Sequence, residues 1–241
     1  FPGLNNGGEL LVLRNRDGAV IHFVDYSDNW YSSVESADGG YALEMIDPEN
    51  PCEGSRNWKS AFDGIYGSPG AENSVKALNP DSEKPRIEQV INEKNGNIKV
   101  RFSESLDSNS MLDLNNYQLK QVTNAFTGAV NLGAPYKSLE LQLRKPLDTN
   151  TLYELEVHGI EDCVANEIDL ASREFALAEK PDSFDLVINE ILFNPYKGGV
   201  DFIEVVNRSD KYIDLRDVFL TNRDEEGNIE DLRPIVDEGI L

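Results

Sequence analysis

Apolar and polar residues alternate along much of the chain, as they do in strands whose side chains point to opposite faces. The alternation is clearest in NIKVRF (97–102), SLELQL (138–143) and LYELEV (152–157). The residues predicted to face a core are Ile98, Val100, Phe102, Leu139, Leu141, Leu143, Tyr153, Leu155 and Val157. Because helical periodicity is almost absent and turn-forming residues separate the runs, the pattern predicts an all-β sandwich.

Two polar, proline-containing stretches divide this pattern. KALNPDSEKP (76–85) carries two prolines, and ALAEKPDS (176–183) carries another. Such composition is typical of linkers. We therefore expect a first segment at 1–75, a linker at 76–85, a domain at 86–178 and a last segment at 184–241.

The charge of the chain excludes one class of partner. Its 22 basic and 44 acidic residues give a net charge of −22. Such a surface repels phosphate backbones, so we expect no nucleic-acid partner. Solubility explains the charge better than binding of cations or basic proteins does. No apolar stretch approaches the length of a membrane span, so we expect no membrane insertion. The chain starts at Phe1 and stops at Leu241 within an apolar run, and we expect it to be a piece of a longer protein.

The two cysteines lie outside any pattern of metal-binding or redox cysteines. Cys52 and Cys163 have no neighbouring Cys or His, so a structural zinc site is not expected. They fall in different predicted domains, so a disulfide between them is one option but not the favoured one. Their redox state stays open, and with it the compartment.

The middle segment resembles a known domain family. Its motifs are VRFSESLD (100–107), NNYQL (115–119) and GIEDCVAN (159–166). Together they resemble the bacterial Ig-like domains of surface-layer and other secreted proteins, over residues 84–178. The resemblance implies an Ig-like β-sandwich that acts as a spacer or adhesive module without catalysis.

The two outer segments resemble the two halves of another Ig-like sandwich, the lamin tail domain. The last segment carries the motifs of its opening half, which are INE (188–190), NP (194–195), FIEVVN (202–207) and DL (214–215). The first segment carries those of its closing half, including GGYALEMID (39–47), NW (57–58) and GSPGAENS (67–74). The structural signature implied by the resemblance comprises Asn189, Glu190, Asn194, Pro195, Glu204, Asn207, Trp58, Pro69 and Gly70.

These halves lie in reversed order along the chain, which affects how they can fold. Half a sandwich leaves an apolar sheet face and a strand edge bare. AVIHFVDY (19–26) has apolar residues on both faces, as in a covered central strand. Closure within one chain requires both linkers to run back along the middle domain. We therefore predict that the halves are exchanged between chains, so that the protein associates with itself.

Three acids of the last segment are candidates for a metal site. Glu190, Asp201 and Glu204 are predicted to lie on neighbouring strands and to be able to hold Mg²⁺ for phosphoester hydrolysis. No histidine accompanies them, and the only nearby lysine is Lys197. We favour a structural role, in which a buried Glu204 accepts hydrogen bonds from backbone donors or a neighbouring Asn.

The remaining candidate chemistry is weaker. Asp107 and Asn109 suggest a calcium loop, but Met111 stands where a third oxygen ligand is needed. NRDEEGNIED (222–231) is acidic, and we expect no cofactor apart from adventitious Ca²⁺ in either loop. His22 and His158 lie in different segments and form no nucleophilic triad. We therefore expect no catalysis.

Aromatic residues of the first segment supply the last candidate site. Trp30, Tyr31 and Trp58, with Tyr41, are able to form a platform that binds sugars, although packing explains them better. The sequence thus predicts a non-catalytic module of an extracellular or cell-surface bacterial-type protein, which mediates spacing and protein contact. The alternatives are a carbohydrate-binding module and a metal-dependent phosphoesterase.

Overall fold

The computed structural model describes residues 3–62, 64–93 and 95–236, and in them the chain is all-β. It forms two compact units, the first of Phe1–Lys145 with Glu154–Arg173 and the second of Pro146–Tyr153 with Glu174–Leu241. The first unit holds the predicted first segment together with most of the middle domain.

The first segment is built from two hairpin-like strand pairs. Its elements are β1 (Gly8–Arg14), β2 (Val20–Ser27), α1 (Val34–Ala37), β3 (Leu43–Met45) and β4 (Trp58–Ser60). β1 pairs with β2, and β3 pairs with β4, both antiparallel. Gly8 opens β1 with a positive φ of 129°, and a Cβ there would overlap the carbonyl oxygen of Tyr26. Only glycine therefore fits this position of the NNGGE turn.

The expectation that 19–26 forms a covered central strand is wrong. Among the described residues, β2 pairs only with β1, and Ile21 is 62% exposed. The physical reason is that β3 and β4 pair with each other in a separate sheet, so neither lies along the free edge of β2.

The predicted middle domain folds as a two-sheet sandwich. A four-stranded antiparallel sheet has the order β5-β6-β9-β8, and a three-stranded sheet has the order β11-β10-β7. The strands are β5 (Ile87–Asn92), β6 (Ile98–Phe102), β7 (Tyr117–Leu119), β8 (Phe126–Asn131), β9 (Ser138–Leu143), β10 (Leu152–Val157) and β11 (Ala171–Ala176). A short α-helix, α2 (Ser108–Leu112), and a 3₁₀ helix (Leu114–Asn116) lie between β6 and β7.

The predicted inward side chains form its core. The buried ones are Ile98, Val100, Phe102, Leu139, Leu141, Tyr153, Leu155 and Val157. Leu143 is the exception, because it is the last residue of β9 and is only half-buried. The buried Tyr117 hydroxyl donates a hydrogen bond of 2.7 Å to the carbonyl oxygen of Met111, which satisfies its polar group inside the core.

A disulfide between Cys52 and Cys163 fastens the first segment to the sandwich. The two residues are 111 positions apart in sequence, and their Cα atoms are 6.4 Å apart. The expectation that this pair is not favoured is therefore wrong. Cys52 lies in the loop between β3 and β4, and Cys163 follows β10, so the fold brings together two loops that sequence distance separates. In the chain-entropy picture, closing a loop of this length disfavours the unfolded state by about 4 to 5 kcal/mol.

The predicted linker 76–85 contacts both the first segment and the sandwich within this unit. The buried Asp47 accepts a hydrogen bond of 2.8 Å from the backbone of Asn79. The side chain of Asn79 donates to the carbonyl oxygen of Arg56. Lys84 pairs with Asp169 at 2.5 Å. The segment is therefore an ordered connection to both neighbours.

The turn 67–74 is anchored by Glu44, which is buried in β3. Its carboxylate accepts hydrogen bonds from the hydroxyl groups of Ser68 and Ser74 and from the backbone of Ser74. Burial raises the pKa of Glu44, but these hydrogen bonds outweigh burial and hold the pKa below its ordinary value. Pro69 and Gly70 occupy the turn itself, in which Ala71 donates to Ser68 and Gly70 has a φ of 78°.

The second unit consists mainly of two separate hairpins. β12 (Leu186–Leu192) pairs with β13 (Phe202–Asn207), and β14 (Phe219–Arg223) pairs with β15 (Ile229–Pro234). Asn207 organises the turn after β13, since its side-chain oxygen accepts from Ser209 and its amide donates to Lys211. The ammonium of Lys211 binds Asp185 at 2.8 Å and Asp182 at 2.6 Å. No helix in the described ranges is long and apolar enough to cross a membrane.

We predict that Glu44→Gln destabilises the fold in a pH-dependent way. The variant loses charge-assisted hydrogen bonds, which are each worth about 1.5 to 3 kcal/mol. The pKa of Glu44 is lower in the folded state than in the unfolded state, where it is about 4.3. The contribution of Glu44 to the free energy of unfolding is therefore complete above the unfolded pKa and is lost as the pH falls through the folded pKa. Urea unfolding at pH 7, 5 and 3 measures this difference. The exposed Glu49→Gln is the control, and equal stabilities of wild type and Glu44→Gln at pH 7 would contradict the assignment.

Candidate functional site

The predicted aromatic residues lie close together in the first segment. Trp30 ends a 3₁₀ turn after β2, and Trp58 begins β4. Their ring centroids are 6.4 Å apart with the planes inclined by 39°. The Tyr31 hydroxyl donates to the carbonyl oxygen of Tyr41 at 3.1 Å. The fold therefore gathers residues that are 28 positions apart into one aromatic cluster, as adjacent β-hairpin ends allow.

Trp58 lies between two cavities. A cavity of about 500 Å³ is lined by Trp58, Tyr31 and Tyr26 together with apolar residues such as Leu11. A smaller one of about 200 Å³ is lined by Trp58, Trp30 and Cys52. Both tryptophans are half-buried, so each ring packs on one side and is accessible on another. This surface is suited to an apolar ring or to one face of a sugar, and ligand binding stays a prediction.

The predicted metal residues of the last segment do not converge. Glu190 and Glu204 are directly opposite each other across β12 and β13. Asp201 precedes β13 by one residue, and its odd spacing of three from Glu204 sends the side chains to opposite faces of an extended chain. All three are exposed. Among the described residues, the three carboxylates do not form a group with metal-ligand spacing.

Glu204 is exposed rather than buried, contrary to the expectation. Its carboxylate accepts a hydrogen bond from the side chain of Asn189, the neighbouring-Asn partner that the sequence suggested. The pairing register shifts between Ile188 and Glu190, so Asn189 occupies an irregularity of β12 that lets it reach Glu204. Glu204 is exposed because β12 and β13 form a sheet of only two strands, and the residues of β13 are mostly exposed on both faces.

Asn194 and Pro195 belong to the connection between β12 and β13. Asn194 is exposed and Pro195 is half-buried, and the backbone of Gly199 then donates to Tyr196 at 2.8 Å to close the turn. The role of Asn194 and Pro195 as part of the structural signature stays a prediction.

The two suggested calcium loops have local roles in the structure. One carboxylate oxygen of Asp107 accepts hydrogen bonds from the backbones of Asn109 and Ser110, which makes Asp107 the N-cap of α2. In the 222–231 loop, Asp224 accepts from the backbone of Asn228 at 2.7 Å and from its side chain. These oxygens stabilise a helix start and a hairpin turn, and Ca²⁺ in either loop stays a prediction.

The histidines lie in different environments. His22 is half-buried in β2, and its Nε2 is 3.3 Å from the carbonyl oxygen of Pro51. His158 is exposed after β10.

A cluster that the sequence did not indicate lies in the first unit. Asp81, Glu104 and Asp162 each place one carboxylate oxygen within 4.8 Å of those of the other two. Asp81 comes from the 76–85 connection, Glu104 follows β6, and Asp162 follows β10. Burial, followed by the charges of Asp81 and Asp162, raises the pKa of Glu104 to about 7 against the opposing effect of Arg56 and Arg86. No local spacing links the three, so no sequence pattern signals the cluster.

Comparison with known proteins agrees with the middle of this fold. Residues 73–175 match the family model of the bacterial Ig-like domain. The expected Ig-like domain is thereby confirmed, although the match starts at residue 73, within the predicted first segment. The lamin-tail resemblance of the outer segments stays a prediction.

Among solved structures, the chain is similar to that of the surface layer protein SbsC, domains 1-6, with 19% sequence identity and a TM-score of 0.36. The match covers 63% of this chain and 19% of the SbsC chain. The chain is also similar to the N-terminal part of the bacterial S-layer protein SbsC, with 14% identity and a TM-score of 0.35, covering 62% of this chain and 38% of that one. The chain thus spans less than half of the length of these structures. At such TM-scores the similarity carries no functional argument. No curated protein matches significantly.

We predict that Trp58 acts by packing. Trp58→Ala removes a half-buried ring between two cavities, and we expect a loss of about 3 kcal/mol of unfolding free energy, the low end for large aromatic side chains. Trp58→Phe is the matched control and retains most of the stability. The wild type and the Trp58→Phe variant are also applied to a glycan array. A wild-type glycan signal that disappears in a folded Trp58→Phe protein would instead select the carbohydrate-binding alternative.

Proposed function

We propose that the chain is a non-catalytic structural module of a bacterial cell surface, which spaces neighbouring domains and contacts other proteins. The observation that carries this proposal is the Ig-like sandwich, whose core is filled by side chains from both sheets. A core packed in this way gives a rigid body of fixed length, which suits a spacer. The family to which its middle segment is similar supports the bacterial assignment.

The disulfide supports a location outside the cytosol. Disulfides persist in oxidising environments such as the cell surface, whereas cytosolic thiols are kept reduced. Cys52 and Cys163 are the only two cysteines of the chain, and they are bonded to each other. This bond supports a compartment outside the cytosol.

We predict that both cysteines are oxidised in the native cell. Intact cells are treated with a maleimide polymer before and after reduction, and the protein is detected on a gel. We expect no mass shift before reduction and a shift by two polymer chains afterwards. A membrane-impermeant amine reagent applied in parallel is expected to label the protein from outside. Thiols that react without reduction would contradict the proposed location.

The contact function is assigned to the outer segments because they leave apolar side chains uncovered. In the last segment, the exposed apolar residues are Ile188, Ile191, Leu192, Phe193, Tyr196, Val200, Phe202, Ile203, Val206, Phe219, Ile229 and Leu232. Ile191 and Ile203 are directly opposite each other across β12 and β13. Apolar patches of this kind are typical of protein–protein contact sites, and two-stranded sheets are marginally stable alone.

A second copy of the chain is the partner that best fits these surfaces. The first segment also forms only two-stranded sheets among the described residues and exposes Leu13 and Ile21. If the outer segments are complementary halves of one sandwich, as their motifs suggest, the first segment of one chain covers the last segment of another. Such exchange yields a dimer or a head-to-tail assembly.

We predict self-association that depends on the β12–β13 face. Light scattering coupled to size exclusion, at micromolar concentration, is expected to give a dimer or larger species. The double variant Ile191→Lys, Ile203→Glu is expected to be monomeric, because it places charges on the contacting face. Leu170→Lys, which alters an exposed apolar residue outside the last segment, is the control and retains association. A wild-type monomer with a cooperative melt would exclude exchange.

A further inference from the structure

The carboxylates of Asp81, Glu104 and Asp162 have the geometry of an ion-binding group. One oxygen from each lies within 4.8 Å of the other two. Ca²⁺ binds oxygen ligands at about 2.3 to 2.6 Å, so two oxygens on one ion are separated by at most about 5 Å. The observed spacing therefore allows all three oxygens to bind a single ion.

Glu104 is the residue that makes this cluster unusual. Residue Glu104 is only 9% exposed, and among the described residues no donor forms a hydrogen bond or ion pair with its carboxylate, whose oxygens keep a small exposed surface. Its oxygen faces the other two carboxylates. A buried carboxylate is normally satisfied by donors, because the charged form is costly to remove from water. Glu104 lacks such a donor and points at two further negative charges.

The two arginines whose charges act on Glu104, Arg56 and Arg86, form ion pairs with other carboxylates. The Nε of Arg56 lies 2.6 Å from a carboxylate oxygen of Glu53. A guanidinium nitrogen of Arg86 lies 3.5 Å from a carboxylate oxygen of Glu83. Both arginines favour the charged form of Glu104 only from a distance, without contacting it.

Asp162 is held in place by its own loop. One of its oxygens accepts hydrogen bonds of 2.8 Å from the backbones of both Val164 and Asn166, and the other accepts one of 2.8 Å from the Asn166 side chain. The same Asn166 amide lies 3.4 Å from the carbonyl oxygen of Asp81. A carboxylate offers about four acceptor sites, so Asp162 retains one for an ion. The group is thus oriented before any ligand arrives.

We propose that Asp81, Glu104 and Asp162 bind a divalent cation of the Ca²⁺ type, which ties the 76–85 connection to the sandwich. The ligands are all oxygens and include neither sulfur nor nitrogen, which favours Ca²⁺ or Mg²⁺ over zinc. Ca²⁺ is preferred of the two, because it tolerates irregular geometry. This site is distinct from the loops at 107–109 and 222–231, and it does not depend on the proposed cell-surface role.

The site has a structural consequence for the first unit. Asp162 directly precedes Cys163, so the ion and the disulfide fasten neighbouring points of one loop. The disulfide holds the β3–β4 loop, whereas the ion holds the connection that follows the first segment. With both in place, the first segment is fixed to the sandwich at two points.

The test is Ca²⁺ binding by the whole chain after chelator treatment. Isothermal titration in physiological salt is expected to show one site with a dissociation constant of roughly 0.1 to 1 mM, as in extracellular modules. Thermal melting is expected to rise by a few degrees in excess Ca²⁺, because the ion binds the folded state. Mg²⁺ is expected to bind more weakly.

Variants identify the residues. Glu104→Gln and Asp81→Asn are each expected to weaken Ca²⁺ binding at least tenfold. The half-exposed Asp81 provides a variant that does not disturb the core. The control is Glu167→Gln, an exposed carboxylate near Asp162 in sequence, which is expected to bind as the wild type does. The proposal is overturned if millimolar Ca²⁺ gives neither heat nor a melting shift, or if both cluster variants bind as tightly as the control. The first result would indicate a protonated Glu104, and the second would indicate binding to the acidic surface in general.

Discussion

The burial of alternating side chains between the two sheets of the sandwich is the constraint on which the rest of the first unit depends. β6, β9 and β10 contribute side chains that are completely buried, including Val100, Leu141 and Leu155. Because side chains alternate along a strand, these residues fix the register of each strand. They thereby fix where each loop leaves the sheet. Glu104 follows β6 and Asp162 follows β10, so the meeting of their carboxylates is a consequence of how the core is packed.

The core could be predicted from the sequence, and the loops could not. A period of two in 97–102, 138–143 and 152–157 is a local signal, and the buried residues of those strands agree with it. The disulfide and the carboxylate cluster depend on residues far apart in the chain. Cys52 and Cys163 are separated by 111 positions, and no spacing pattern links them. Similarly, Asp81 was assigned to a linker, whereas hydrogen bonds of Asn79 and Asn166 order that stretch.

The outer segments show the opposite failure, because a local pattern overstated their burial. The sequence predicts a covered strand at 19–26 and a buried Glu204, yet β2 pairs only with β1 and β13 only with β12 in the described part of the chain. Apolar character on both faces indicates that a strand is suited to being covered, but it does not say by what. Asn189 illustrates the same limit at a single residue, since its contact with Glu204 depends on a register shift that alternation does not encode. A partner that covers these strands would account for both their apolar sequence pattern and their exposure in this chain.

The bond between Cys52 and Cys163 also determines how a mechanical load would travel through the protein. When the two ends of a chain are pulled, force follows the shortest covalent path, which here crosses from residue 52 to residue 163 through the sulfur atoms. Nearly all of the sandwich lies inside the bypassed loop, and about 380 Å of extended chain is thereby withheld from stretching. Even if its strands separated, an oxidised module would lengthen only through its two tails.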